Sequence, residues 1–70
     1  MYFNRLEFNA QLARKDMSVK DLADAIHMPL STMYRKLNAD GDFDRKEIAE
    51  IVERLEIEDP KRIFFAPELT

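Results

Sequence analysis

Seventy residues make one domain, and a chain this short buries only about 60% of the surface that its unfolded form exposes. The absence of cysteine excludes disulfides and thiolate metal sites, so stability has to come from helix packing, with dimerisation as a further source. A net charge of -3 weighs against a general polyanion binder, although residues 1 to 46 hold eight cations against seven anions and residues 47 to 70 hold three against seven. The acidity is a C-terminal property.

One glycine and three prolines in a background of Leu, Ala, Glu, Lys and Arg predict an all-α domain with short connections. The opening MYFNRLEF has the features of neither a signal peptide nor a basic anchor, and no apolar run has the length of a membrane span. A soluble cytoplasmic protein is expected. Asn4 is suited to cap a first helix of about eleven residues, with Glu7, Gln11 and Arg14 as its polar face. Phe3, Leu6, Phe8, Ala10, Leu12 and Ala13 form a wide apolar arc around the rest. An arc that wide predicts cover on two sides, from the second or fourth helix and from the C-terminal tail.

Ser18 opens SVKDLADAI, where Asp21 three residues on approximates a capping box and Val19, Leu22, Ala23 and Ile26 keep helical spacing. A second helix follows. After a break at His27-Met28, Pro29 suits the first turn of a third helix, where the missing N–H costs nothing, and Met33 and Leu37 form its buried stripe. Asp44 with Glu47 predicts the cap of a fourth helix carrying Ile48, Ile51, Val52 and Leu55. Asp59-Pro60 then starts a short fifth helix, PKRIFF, stopped by Pro67.

Two helices joined by a short break, from Val19 to Asn38, have the layout of a helix-turn-helix. The stretch SVKDLADAIHMPLSTMYRKLNAD resembles the helix-turn-helix of the lambdoid phage repressor and Cro-like family, also called the xenobiotic response element family. The match rests on Leu22-Ala23, Ile26, Met28 and Ser31-Thr32-Met33, and the flanks ARKDMS, FDRKEIAEIVERLEI and DPKRIFF are similar to small versions from prophages and mobile elements. It covers nearly the whole chain, as one domain of residues 1 to 70 with the motif near 18 to 38 and C-terminal helices over 44 to 65. Asp16 and His27 stand where the family usually has glycine, and Asp and His are among the residues that tolerate positive φ.

The resemblance implies a five-helix, sequence-specific DNA-binding regulator of bacterial or phage-infected cytoplasm, with double-stranded operator DNA as partner. On this basis Leu30, Ser31, Thr32, Tyr34 and Arg35 are the candidate base contacts, Arg35 for bidentate pairing to guanine. Lys20, Lys36, Asn38, Arg45 and Lys46 are the candidate phosphate contacts. Binding of two half-sites implies a homodimer, for which Phe43, Phe64, Phe65 and the tail FFAPELT are candidates.

Plainer roles stand beside these. Leu30 also suits the buried stripe, Tyr34 packing on the second helix, Arg35 and Lys36 a solvated helix face, Phe64 and Phe65 the core, Lys20 an ion pair with Asp24, and Arg14 and Lys15 the dipole at the end of the first helix. His27 without cysteine or a second histidine belongs to a turn rather than a metal site. DGDFDRKE departs from a calcium loop at its sixth and twelfth positions, Arg45 and Ile51. With neither a Ser/His/Asp constellation nor a glycine-rich phosphate loop, no enzyme, cofactor or small-molecule ligand is expected. A rival reading keeps the fold without DNA binding: a protein-interaction module such as an antirepressor, antitoxin-like partner or adaptor.

Overall fold

The computed structural model describes residues 3–65 and, over them, an all-helical chain. Its elements are α1 (Arg5–Arg14), α2 (Val19–Ala25), α3 (Leu30–Asn38), α4 (Arg45–Leu55) and α5 (Lys61–Phe64). The Cα radius of gyration is 11.3 Å. A folded chain of this length is expected at about 11 Å, so the five helices close around one centre.

Local hydrogen bonding explains where the helices start. The Asn4 side chain accepts from the Glu7 N–H at 3.0 Å. Ser18 with Asp21 and Asp44 with Glu47 form complete capping boxes, each side chain accepting from the other residue's backbone N–H. Pro29 takes the N-cap position itself, one residue earlier than a first-turn proline, because its ψ of 141 is still extended. The helix begins after it.

The helix ends share a second device, in which the chain turns left-handed and a later N–H reaches back to a free carbonyl. Met17 N–H donates to the Leu12 carbonyl at 2.9 Å, Met28 to Ala23 at 2.8 Å, Gly41 to Lys36 at 3.0 Å and Ile57 to Val52 at 3.1 Å. The left-handed residues before them are Asp16, His27, Asp40 and Glu56, with φ between 51 and 59. Asp16 and His27 therefore have the positive φ expected of them. Gly41, at φ 71, meets a different need, since any Cβ there would overlap the ring of Phe3.

Each helix sends at least one fully buried side chain inward: Phe8, Leu22, Met33, Ile51 and Leu55, and Ile63. Ala23 is also fully buried, at the pair of helices in most extensive contact, α2 and α3. Small size there lets the two backbones approach. A second knot is aromatic, with Phe3 against Phe8, Phe43 and Phe64 at ring-centre separations of 5.5, 6.1 and 5.9 Å, and Phe43 edge-on to Phe64. The Asn4 N–H donates to the Ile63 carbonyl at 2.7 Å, so this knot holds α5 onto the start of α1.

Two expectations need correction. The apolar arc of α1 is narrower than its composition, for only Phe8 and Leu12 are buried on the helix, while Leu6 is 82% exposed and Ala10 and Ala13 are exposed too. Its main helical partner is α5, which meets one side. Of the tail FFAPELT, Phe64 packs on Phe3, while residues 66–70, with the stop at Pro67, lie outside the described residues. The second correction concerns the proposed dimer residues: Phe43 and Phe64 are buried in the aromatic knot, and of the three only Phe65, at 45%, is exposed. Both buried rings pack on Phe3, so their apolar surface is already buried within the chain.

Candidate nucleic-acid interface

Helix α3 divides cleanly into two sides. Met33 and Leu37, four apart, are buried; Leu30, Ser31, Tyr34, Arg35 and Asn38 are exposed, and at about 100° per residue they share one arc of about 140°. Thr32 and Lys36 are half-buried and lie between the two sides. Leu30, for which core and surface were both open, stands 36% exposed outside the core cluster. Tyr34 keeps 44% of its surface in solvent, so its ring is partly packed and partly presented.

The start of α4 lies beside the Thr32 flank of α3. An open concavity of about 510 Å3 is lined by Pro29 and Thr32 on one side and by Asp44, Lys46, Glu47 and Glu50 on the other, with Ile26, His27 and Met28 from the turn before α3. Arg45 and Lys46 are exposed in the first turn of α4. Among the described residues, neither they nor Arg35 make a side-chain hydrogen bond or ion pair. The first turn of α3 likewise has no side-chain cap, in contrast to α1, α2 and α4, which leaves its N–H groups without a side-chain acceptor.

Other cations are already engaged. Lys20 pairs with Asp24 one turn later at 3.2 Å, both in solvent, which is the plainer of its two roles. Lys36 donates to Glu47 Oε1 at 2.9 Å and to the Asp42 carbonyl at 3.4 Å, and its side chain is only 15% exposed. It is therefore not presented as Arg35 is. Arg14 donates to the Leu55 carbonyl and, at 3.1 Å, to that of Glu56, while Lys15 pairs with the Glu56 carboxylate. These two cations cap the far end of α4, a role that no spacing in the sequence signals because the partners are 41 or 42 positions apart.

Two carboxylates respond to their partners. Backbone and hydroxyl donation from Ser18 holds Asp21 below its ordinary value of 3.8, and the Lys15 ammonium does the same for Glu56 below 4.5. Both belong to helix ends. Asp44, part of the aspartate run that superficially resembles a calcium loop, is occupied as the α4 cap. Comparison with protein-family profiles, with curated proteins and with solved structures finds no match to this chain.

Proposed function

We propose that this chain is a sequence-specific DNA-binding regulator of the repressor or Cro type, with α2 and α3 acting as a helix-turn-helix and α3 entering the major groove. The observation that carries the reading is the outer arc of α3, where hydroxyl, phenol, amide and guanidinium groups stand exposed side by side, with Lys46 of α4 across the concavity from Thr32. A major groove admits a helix, and base edges there are read by such groups at hydrogen-bonding distance. Arg35 is the base-reading cation in this scheme. Ser31 and Thr32 add permissive hydrogen bonds, and Leu30 with the Tyr34 ring supplies apolar contact to thymine methyls. Arg45, Lys46, Asn38 and the uncapped N–H groups of α3 hold phosphates.

Most of the excess negative charge lies beyond residue 46, and of that part Glu47 and Glu50, with Asp44, line the concavity beside Lys46. A single module covers little DNA, so two copies on half-sites roughly 34 Å apart are part of the proposal. Phe65 is the exposed aromatic left to support pairing.

Selection of bound duplexes from a random pool tests the reading. The expected result is an enriched motif whose binding weakens steeply between low and moderate salt and loses preference at one position when Arg35→Ala is introduced. A pool that stays random with the wild-type protein rejects DNA binding and favours the protein-interaction module, for which the 82% exposed Leu6 on α1 is the first surface to probe.

A further inference from the structure

The ammonium of Lys36 sits at the joint between α3 and α4, and almost every polar group of that joint converges on this residue. Its carbonyl accepts from the N–H groups of Gly41 and Asp42 at 3.0 and 3.2 Å, which folds the loop back on the end of α3. Its ammonium donates to the Asp42 carbonyl at 3.4 Å and to Glu47 Oε1 at 2.9 Å. That same Oε1 accepts from the Asp44 N–H at 2.9 Å, and the Glu47 N–H donates to Asp44 Oδ1 at 2.7 Å. The capping box of α4 is thereby extended by a third member from another helix.

We propose that Lys36 is a positioning residue, which sets the angle and distance between the outer arc of α3 and the first turn of α4. The inference rests on the proposed function for its DNA consequence, and it replaces phosphate contact as the role of this lysine. Three observations favour the joint over the phosphate. Both ends of the pair are largely buried, at 15% and 19% side-chain exposure. The carboxylate is immobilised by the α4 cap, so the ammonium has a fixed partner. Moving Lys36 to a phosphate would leave the Glu47 carboxylate with only the Asp44 N–H and no cation, and would release the Asp42 carbonyl, whereas Arg45 and Lys46 reach solvent at no such cost.

The two roles predict opposite signs for one variant. If Lys36 positions, Glu47→Gln weakens the joint and duplex binding falls severalfold; if Lys36 holds a phosphate, removing its carboxylate partner frees it and binding rises. The experiment measures binding of a duplex selected by the wild-type protein from a random pool, across a salt series, for the wild type, Lys36→Met, Lys36→Arg and Glu47→Gln. Expected are about tenfold weaker binding for Lys36→Met with an unchanged salt slope, recovery in Lys36→Arg, and the Glu47→Gln loss. A salt slope reduced by about one contact in Lys36→Met, or tighter binding by Glu47→Gln, overturns the inference.

Amide hydrogen exchange supplies an arm independent of DNA. Faster exchange at Gly41 and Asp42 in Glu47→Gln, with Ile51 unchanged, is expected; unchanged exchange at all three overturns the joint. Wild-type protein that binds no duplex rejects the proposed function instead, and the exchange arm then decides the role of Lys36 alone.

Discussion

Helices α1 and α3 both leave apolar side chains in water, yet they differ in what surrounds them. On α1 the outer stripe is Leu6, Ala10 and Ala13, and the nearby cations are turned to internal work: Arg5 to Asn9, Arg14 to the end of α4, Lys15 to Glu56. On α3 the outer arc holds Leu30 and Tyr34 beside Arg35, and neither Arg35 nor the exposed Arg45 and Lys46 of α4 has an internal partner among the described residues. Exposure alone does not separate the two faces. Engagement does, because a cation already desolvated onto a carbonyl or carboxylate has less to gain from a phosphate.

The sharpest way to test that contrast is to remove one side chain from each side of α1. Phe8 is fully buried, and Phe8→Ala is expected to cost about 3 to 5 kcal/mol, a large share of the total for a domain this small. Leu6→Ala should change stability by less than about 0.5 kcal/mol. Urea unfolding of the two variants gives the comparison, and a Leu6 effect as large as that of Phe8 would mean that the α1 face is covered in solution.

Arginines on the two faces should separate by assay rather than by size of effect. Arg35→Ala is expected to lose about 1 to 3 kcal/mol of binding to a selected duplex, with the melting temperature unchanged. Arg14→Ala should do the reverse, costing about 1 kcal/mol of stability, since its hydrogen bonds to two carbonyls are partly open to water, and leaving duplex affinity as it was. Equal loss of binding in both would erase the distinction.

A smaller effect is expected at the turn into α3. His27 holds a φ of 58, which disfavours a side chain with a Cβ, so His27→Gly should relieve strain and raise stability by up to about 1 kcal/mol. Thermal melts decide it, and a lower melting point would show that the imidazole contributes a contact that outweighs the strain.

Acid provides the mildest test. Asp21 and Glu56 have lowered pKa values when folded, so their contributions are complete above the ordinary values of 3.8 and 4.5 and fade as pH falls through the folded values. Melting temperature should therefore drop below about pH 4.5, and Asp21→Asn and Glu56→Gln should each flatten that drop. An unchanged acid slope in both variants would assign acid sensitivity elsewhere.

Much of the backbone was legible beforehand because its determinants are local. The caps at Asn4, Ser18 and Asp44 act over three residues, and the positive φ of Asp16 and His27 is what the family resemblance implies where glycine is usual. Glu56 was not foreseen as left-handed, since glutamate has no special tolerance for it. Its backbone is held by the return bond from Ile57 to Val52 and by Arg14, which donates to the Glu56 carbonyl at 3.1 Å. The outer arc of α3 was readable for the same local reason as the caps, given Met33 and Leu37 as its anchor.

Sequence by itself thus determined helix starts and the two-sidedness of α3, because hydrogen bonds and helical spacing over three to five positions decide them. Only the tertiary structure decided which apolar residues of α1 stay wet, that Phe43 and Phe64 complete an aromatic knot, and that Lys36 serves Glu47 while Arg35 remains open. Those outcomes depend on which distant element arrives at a given face, and periodicity along one helix carries no information about its neighbour.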